Sequence, residues 1–108
     1  MKRYTLYILR CADGSLYVGI TTDLATRVEA HNAGRGAKYT RARRPVAVAW
    51  SRGRQEPTAA RKLEYALKQL PRALKLRLVS GDASLWRAIR ERTANSARGS
   101  GRSVLKRG

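Results

Sequence analysis

At 108 residues the chain has the length of one ordinary domain, and 43% hydrophobic residues are enough to build a core. Lysine and arginine number 24 against 7 aspartates and glutamates, which gives a formal net charge of +17. Because like charges repel one another in a compact chain, this excess predicts a polyanionic partner, and nucleic acid is the first choice. No long apolar run or basic amphipathic helix is present, so a membrane partner is disfavoured.

The cysteine content and the first residues indicate the compartment. The single cysteine, Cys11, excludes an internal disulfide and a zinc site built from cysteines, and it agrees with a reducing environment. The first ten residues, MKRYTLYILR, contain an apolar stretch that is too short and too interrupted for a signal peptide. We therefore expect a cytoplasmic protein.

The first half of the chain predicts three strands. Residues 4–9 are rich in β-forming side chains and predict a strand, and residues 16–20 predict the strand that returns beside it. The Asp13-Gly14 pair between them is typical of a tight turn. A third strand is predicted over residues 46–50, and we expect it to be antiparallel because the hairpin offers a neighbouring edge.

Four helices are predicted around these strands, over about residues 24–33, 57–70, 72–80 and 84–92. Gly34 suits the C-terminal end of the first helix, and Pro57 suits the first turn of the second. The apolar residues of the second helix recur at the helical period and should face the core: Ala59, Leu63, Ala66, Leu67 and Leu70.

The resulting order, β-β-α-β-α-α-α, predicts a small α/β (α+β) domain with a three-stranded, mainly antiparallel sheet flanked by helices. We assign residues 1–93 to this domain. Residues 94–108 contain no acidic residue and are dominated by serine, glycine, arginine and lysine. That composition predicts a basic, disordered tail.

Five side chains stand at intervals that suit cleavage of a phosphodiester bond: Tyr7, Tyr17, Arg27, His31 and Glu64. Each has an ordinary structural explanation when it is taken alone, such as a packed tyrosine or a solvated arginine. Arg27 and His31 are four residues apart, so they share one face of the first predicted helix. Together the five residues offer a proton acceptor, an anion clamp and a metal ligand.

Glu64 is a rare acidic residue inside a mainly apolar stretch. It can pair with Arg61 or Lys68 on the surface of the second predicted helix, a contact worth only a few tenths of a kcal/mol. Alternatively, its carboxylate binds Mg²⁺ or Mn²⁺, and water and a substrate phosphate supply the other ligands. The sequence alone leaves both interpretations open.

The segment from residue 34 to residue 45 predicts a basic loop with an aromatic side chain among its charges. The residues expected to bind nucleic acid are Lys38, Tyr39, Arg41, Arg43 and Arg44. The cations would grip phosphates while the tyrosine stacks on a base, and a merely solvated loop is the alternative. The Gly34-x-Gly36 spacing is too short for a nucleotide-binding fingerprint.

Two short segments carry a family resemblance. Residues 6–8, LYI, and 17–19, YVG, resemble the two halves of the GIY-YIG nuclease signature. Arg27 with His31, and then Glu64, match the later motifs of that family in order and spacing.

Further segments narrow this resemblance. GAKYT at residues 36–40 and RRP at 43–45 are similar to the small stand-alone bacterial members, and to the related catalytic domain of Slx-type structure-selective nucleases. The resemblance covers about residues 3–80. The chain departs from the family pattern at Thr5, which stands in place of the first glycine. It also has Ile20-Thr21-Thr22, without a lysine, directly after Gly19.

The resemblance implies a small sheet flanked by helices, with a metal-dependent endonuclease site on one face of the sheet. Tyr7 and Tyr17 would be the paired active-site tyrosines, one of which helps to activate water with His31 as a relay. Arg27 would stabilise the charge that grows on the phosphate, and Glu64 would hold Mg²⁺ or Mn²⁺.

We therefore expect a metal-dependent endonuclease that acts on DNA, in repair or recombination. Single-stranded, flapped or branched substrates are favoured because no sequence-reading module is visible. The alternative is a non-catalytic protein that binds DNA or RNA on the same scaffold. Target choice would come from this domain, its tail or a separate protein, and the sequence does not indicate an oligomeric state.

Overall fold

A three-stranded antiparallel sheet forms the centre of the protein. The computed structural model describes residues 2–99. The strands are β1 (Tyr4–Arg10), β2 (Leu16–Thr21) and β3 (Ala47–Gln55), and their spatial order is β2-β1-β3. The first strand of the chain is therefore the central one. The predicted α+β class and antiparallel pairing are confirmed.

The turn between β1 and β2 lies at the predicted Asp13-Gly14 pair. Gly14 has a φ of +85°, a conformation that glycine adopts without steric cost. The Asp13 carboxylate accepts hydrogen bonds from the backbone N–H and the hydroxyl of Ser15, at 3.0 and 2.6 Å. The hairpin prediction is confirmed.

Five helices accompany the sheet among the described residues: α1 (Leu24–Asn32), α2 (Lys38–Arg41), α3 (Pro57–Gln69), α4 (Arg72–Val79) and α5 (Ala83–Gly99). Asp23 and Glu56 cap the N-termini of α1 and α3, and their carboxylates accept backbone N–H bonds at 3.1 and 3.0 Å. Gly34, with a φ of +83°, follows α1 as predicted. No helix of the described part of the chain is long and apolar enough to cross a membrane.

Two elements differ from the prediction in the region around β3. The strand continues past residue 50 to Gln55, because it forms an edge of the sheet and can pair with β1 while its polar side chains face solvent. The predicted basic loop contains the single helical turn α2. Such a short turn leaves no periodic apolar pattern from which it could be predicted.

The last helix differs most from the prediction. It extends to Gly99, beyond the predicted end at residue 92 and past residue 94, where the sequence predicts the basic tail to begin. Adding one residue to an existing helix is much easier than nucleating one, and this segment contains alanine and arginine, which are good helix formers. Residues 100–108 of the predicted tail lie outside the described residues.

The side chains of β1 alternate between two hydrophobic clusters. Leu6 and Ile8 belong to a large cluster, which we call the α3 face because the helices α3, α4 and α5 cover it. Its other buried members are Val18, Trp50, Leu63, Leu67, Leu78 and Ile89. Tyr7 and Leu9 belong to a smaller cluster, the α1 face, against which α1 packs. Successive residues of a strand point to opposite faces, so the central strand divides its side chains between the two.

The apolar stripe of α3 faces the core as predicted, except at its first residue. Ala66 and Leu70 are partly buried against the core cluster as predicted. Leu63 and Leu67 are buried as predicted, and Ala60, rather than Ala59, is fully buried beside them. These three residues follow one another at spacings of three and four, so they lie on one side of the helix.

Candidate active site

Tyr7 on β1 lies beside Gly19 on β2, and its side chain covers that glycine. It pairs with Gly19 in the β1–β2 ladder, and a Cβ atom on Gly19 would lie 2.5 Å from the Tyr7 hydroxyl. The absence of a side chain at Gly19 therefore leaves the space that the phenol occupies. The Tyr7 side chain is almost fully buried, and its hydroxyl lies 3.3 Å from Nε2 of His31.

His31, the only histidine in the chain, occupies the centre of the site. The residue is 1% exposed, and its Nδ1 lies 2.7 Å from the hydroxyl of Thr40. The ring of Tyr17 meets the imidazole edge-on, with 5.4 Å between the ring centroids. Burial, aided by the positive charge of Arg27, holds the pKa of His31 below its ordinary value. The imidazole is therefore neutral at pH 7.

The pKa of Tyr7 is shifted by burial and by the groups near the phenol. Burial is the main cause, and it raises this pKa to about 12. The neighbouring Tyr17 and the Glu64 carboxylate also raise the pKa, whereas the positive charge of Arg27 lowers it. Arg27 projects from α1, whereas Glu64 projects from α3. The fold thus brings Tyr7, Tyr17 and His31 into contact, and it places Arg27 and Glu64 near enough to act on the Tyr7 phenol through their charges.

Glu64 adopts the surface pairing that the sequence left as an alternative, with its carboxylate 3.2 Å from Nζ of Lys68. Its side chain is 25% exposed. Within residues 2–99, no cluster of three histidine, cysteine or acidic side chains could hold a metal ion. A hard divalent cation can still bind to one carboxylate when it keeps several waters and takes phosphate oxygens as ligands. Glu64 fits a metal site of that kind.

The chain after α1 folds back over His31. Gly36 lies so close to the imidazole that a Cβ atom at this position would overlap the ring. Asn32 closes the loop, because its amide group donates to the carbonyl of Val46 at 3.1 Å and accepts from the N–H of Val46 at 2.7 Å. The Gly34-x-Gly36 pair therefore serves a helix end and the packing of a histidine.

Part of the predicted nucleic-acid-binding surface forms a stack that begins at the site. The Tyr39 ring packs against Tyr17, with 6.0 Å between centroids, and the Arg43 guanidinium lies 3.9 Å from the Tyr39 centroid. Arg43 also donates to the Asp13 carboxylate at 3.1 Å and to the Tyr39 carbonyl at 2.9 Å. These contacts hold one guanidinium in a defined orientation at the surface.

The other predicted basic residues differ in how they are held. Arg44 donates to the carbonyls of Arg41 and Asn32, at 2.8 and 3.4 Å, so its guanidinium is tied to the loop. The side chains of Lys38 and Arg41 are exposed and have no hydrogen-bond or ion-pair partner among residues 2–99. Lys38 and Arg41 can therefore reach a bound polyanion without breaking a contact.

Three residues of the site have no role in the sequence-based prediction: Asn32, Gly36 and Thr40. Their contacts depend on how the loop reverses direction, and no periodicity reports such a reversal. The only sequence signal is the GAKYT segment, which contains Gly36 and Thr40 and which supported the family resemblance without assigning either residue a role.

A small antiparallel sheet with two tyrosines, an arginine, a histidine and a carboxylate at one site is the arrangement of a nuclease-like α+β domain. The model of the GIY-YIG catalytic domain family matches residues 3–77. The chain is also 46% identical over 79 residues to a UPF0213 protein of Staphylococcus aureus (strain Mu3), a match that covers 73% of this chain and 96% of the relative. The chain therefore belongs to the GIY-YIG family.

The chain is also similar to two solved structures. The solution structure of the protein EF2693 from E. faecalis is 38% identical, with a TM-score of 0.53, over 74% of this chain and 85% of that one. The UPF0213 protein BH0048 from Bacillus halodurans is 42% identical, with a TM-score of 0.48, over 72% of this chain and 83% of that one. The family is one of nucleases, which implies a nucleic acid substrate and general dependence on a divalent metal.

Proposed function

We propose that the protein is a metal-dependent endonuclease that hydrolyses phosphodiester bonds in DNA. The observation that carries the proposal is the buried contact between the Tyr7 hydroxyl and His31, with Arg27 and Glu64 close enough to shift the pKa of Tyr7. Hydrolysis of a phosphodiester needs a proton acceptor for the attacking water and positive charge beside the phosphate. These side chains supply both functions within one site.

Tyr7 and His31 act together in the proposed reaction. A phenol with a pKa of about 12 keeps its proton at neutral pH, so Tyr7 needs a second acceptor behind it. The neutral His31 presents Nε2 at 3.3 Å from the hydroxyl. The attacking water gives a proton to the Tyr7 oxygen as the Tyr7 proton passes to His31. The side chain of Tyr17 is only partly buried, and its hydroxyl orients the water or the phosphate.

Arg27 and Glu64 compensate the negative charge of the substrate phosphate, Arg27 directly and Glu64 through a bound cation. The exposed guanidinium of Arg27 can donate two parallel hydrogen bonds to phosphate oxygens. Glu64 would hold Mg²⁺ or Mn²⁺, a cation that in such sites neutralises negative charge on the phosphate oxygens.

The distribution of charge supports DNA as the substrate. A formal charge of +17 favours a polyanion, and Lys38 and Arg41 are exposed and unpaired among the described residues. The stack of Tyr17, Tyr39 and Arg43 gives flat surfaces on which bases of a single strand can pack. We therefore propose single-stranded, flapped or branched substrates and a cytoplasmic role in DNA repair or recombination. RNA offers the same phosphate chemistry and is the alternative substrate.

The test is cleavage of end-labelled single-stranded, flapped and branched DNA by the full chain, with Mg²⁺, Mn²⁺ or EDTA. We expect cleavage with either metal and none with EDTA. Glu64→Gln should lower the cleavage rate by about 100-fold or more, because an amide is a much weaker ligand for a hard cation. The matched variant Glu91→Gln removes an exposed carboxylate from α5 and should cleave like the parent.

Three other results would change the proposal in different ways. Cleavage that continues in EDTA, or in Glu64→Gln, would remove the metal site. Salt-sensitive binding without cleavage of any DNA or RNA would indicate the non-catalytic binding protein instead. Cleavage of RNA in preference to every DNA tested would keep the site and replace the substrate.

A further inference from the structure

Thr40 is a buried polar residue that the proposed reaction has not used so far. It lies on the single turn α2 and is fully buried. Its hydroxyl oxygen lies 2.7 Å from Nδ1 of His31 and 3.0 Å from the carbonyl oxygen of Ala37. A buried hydroxyl that contacts the central histidine can control where the proton of that histidine resides.

The direction of these hydrogen bonds follows from counting protons. The carbonyl of Ala37 has no proton, so the Thr40 hydroxyl donates in that contact. A hydroxyl has one hydrogen, and therefore its oxygen accepts in the contact with His31, whose Nδ1 must carry the proton. A neutral imidazole has only one N–H, so Nε2 carries a lone pair and faces the Tyr7 hydroxyl.

We propose that Thr40 is a positioning residue that holds His31 in the Nδ1–H tautomer, so that Nε2 accepts a proton from Tyr7. The opposite tautomer would direct an Nε2–H at the Tyr7 oxygen, and the proton could not pass from the phenol to the ring. The catalytic consequence rests on the proposed function, whereas the tautomer is a property of the folded protein whether or not it cleaves DNA.

The surrounding chain keeps this arrangement in place. Gly36 allows the backbone to approach the imidazole, since any side chain there would collide with the ring. Asn32 ties the far end of the loop to Val46 through two hydrogen bonds. The hydroxyl of Thr40 is therefore presented to His31 by a loop that is anchored on both sides of it.

The tautomer can be measured directly because the chain contains one histidine. We expect long-range ¹H–¹⁵N NMR spectra of the full chain, above the pKa of His31, to show a protonated Nδ1 and an unprotonated Nε2. A ring nitrogen that carries a lone pair resonates well downfield of one that carries a proton, so the two tautomers are distinguishable. A protonated Nε2 in the parent protein would overturn the proposal, even if the protein cleaves DNA.

Thr40→Val removes the acceptor while keeping the shape of the side chain. We expect the ring proton to redistribute toward Nε2 and kcat for cleavage to fall by about 10-fold or more, with KM little changed. Thr40→Ser keeps the hydroxyl group, so this variant should have the same tautomer and the same cleavage rate as the parent. Thr58→Val, an exposed threonine of α3, is the matched control and should change neither.

Each possible result separates this inference from the proposed function. If the parent shows the predicted tautomer and Thr40→Val keeps it, Thr40 does not control the proton and the inference is wrong. If Thr40→Val does not fold, the ring spectrum of the parent still tests the predicted tautomer. If no cleavage occurs under any condition, the proposed function fails while the NMR measurement still tests Thr40.

Discussion

On the α3 face of the sheet, Leu6 and Ile8 pack against side chains that have no hydrogen-bonding groups, such as Leu63 and Leu67. On the α1 face of the same strand, Tyr7 packs beside apolar groups such as Leu9 and Val46, but its hydroxyl also contacts the buried His31. Apolar packing is non-directional and depends on volume, whereas the donor–acceptor distance of a buried hydrogen bond can vary by only about 0.5 Å. The α3 face therefore stabilises the domain, and the α1 face positions the side chains of the candidate site.

The coverings of the two faces differ in the same way. Three helices cover the α3 face through their apolar stripes. On the α1 face, the loop that follows α1 is held by side-chain-to-backbone hydrogen bonds from Asn32, Arg43, Arg44 and Thr40. Substitutions on the α3 face should change stability and leave the site geometry intact, whereas those on the α1 face should also displace the groups of the site.

The largest effect on stability is expected from Leu67→Ala. Leu67 is fully buried on the α3 face, and removing its side chain should lower the free energy of unfolding by about 2–5 kcal/mol, because the cavity cannot fully close. Urea unfolding measures the loss. Tyr65→Ala on the same helix is the control, since Tyr65 is 69% exposed and should change stability little. Similar losses for the two variants would contradict the assignment of the α3 face as the stabilising core.

Gly19→Ala tests the space on the α1 face. The added methyl group would collide with the Tyr7 hydroxyl, so we expect a loss of stability of about 1–3 kcal/mol and a displaced phenol. Gly53→Ala, also within a strand, meets only Thr5 Oγ1 at 3.4 Å and should be tolerated better. Urea unfolding of both variants gives the comparison, together with the chemical shifts of the His31 ring. Equal stability of the two, with unchanged shifts, would mean that Tyr7 does not occupy the space over Gly19.

Asn32→Ala tests whether hydrogen bonds hold the cover of the α1 face. It leaves the N–H and the carbonyl of Val46 without their partner, and we expect a loss of about 1–2 kcal/mol. Amide hydrogen exchange at Val46 should accelerate as well. Gln69→Ala, which removes an exposed side-chain amide at the end of α3, serves as the control. Unchanged exchange at Val46 would show that the loop is held by other contacts.

The smallest expected effect is a dependence of stability on pH that belongs to His31. Burial lowers its pKa in the folded protein, so the unfolded chain takes up the proton first as the pH falls. The stabilisation is therefore complete above the ordinary histidine pKa of about 6.5 and decreases as the pH falls below it. The lowered pKa values of Asp13 and Asp23 place the titration of those carboxylates below this range.

Urea midpoints measured between pH 7 and pH 5 would detect the decrease. The chain has no other histidine, so no second imidazole contributes in this range. A midpoint that rises as the pH falls would show that folding favours the protonated ring, contrary to its burial beside Arg27.

Local signals predicted most of the elements. The Asp13-Gly14 turn and Pro57 at the start of α3 were predictable because turn and cap preferences depend on a few neighbouring residues. The length of β3 was not predictable, since an exposed edge strand carries polar side chains and its sequence resembles that of a loop. The C-terminal end of α5 was not predictable either. The composition of its last residues is typical of a flexible tail, but an existing helix extends easily.

The five candidate site residues were recognisable from their types, their order and their spacing, because a phosphodiester-cleaving site needs a proton acceptor, a cation and a carboxylate. The sequence by itself also determined the α+β class and the preference for a polyanion. Only the tertiary structure decided that His31 is buried between Tyr7 and Thr40, with Gly36 against its ring. These contacts join residues from different elements, and their geometry depends on the path of the loop, which no local preference encodes.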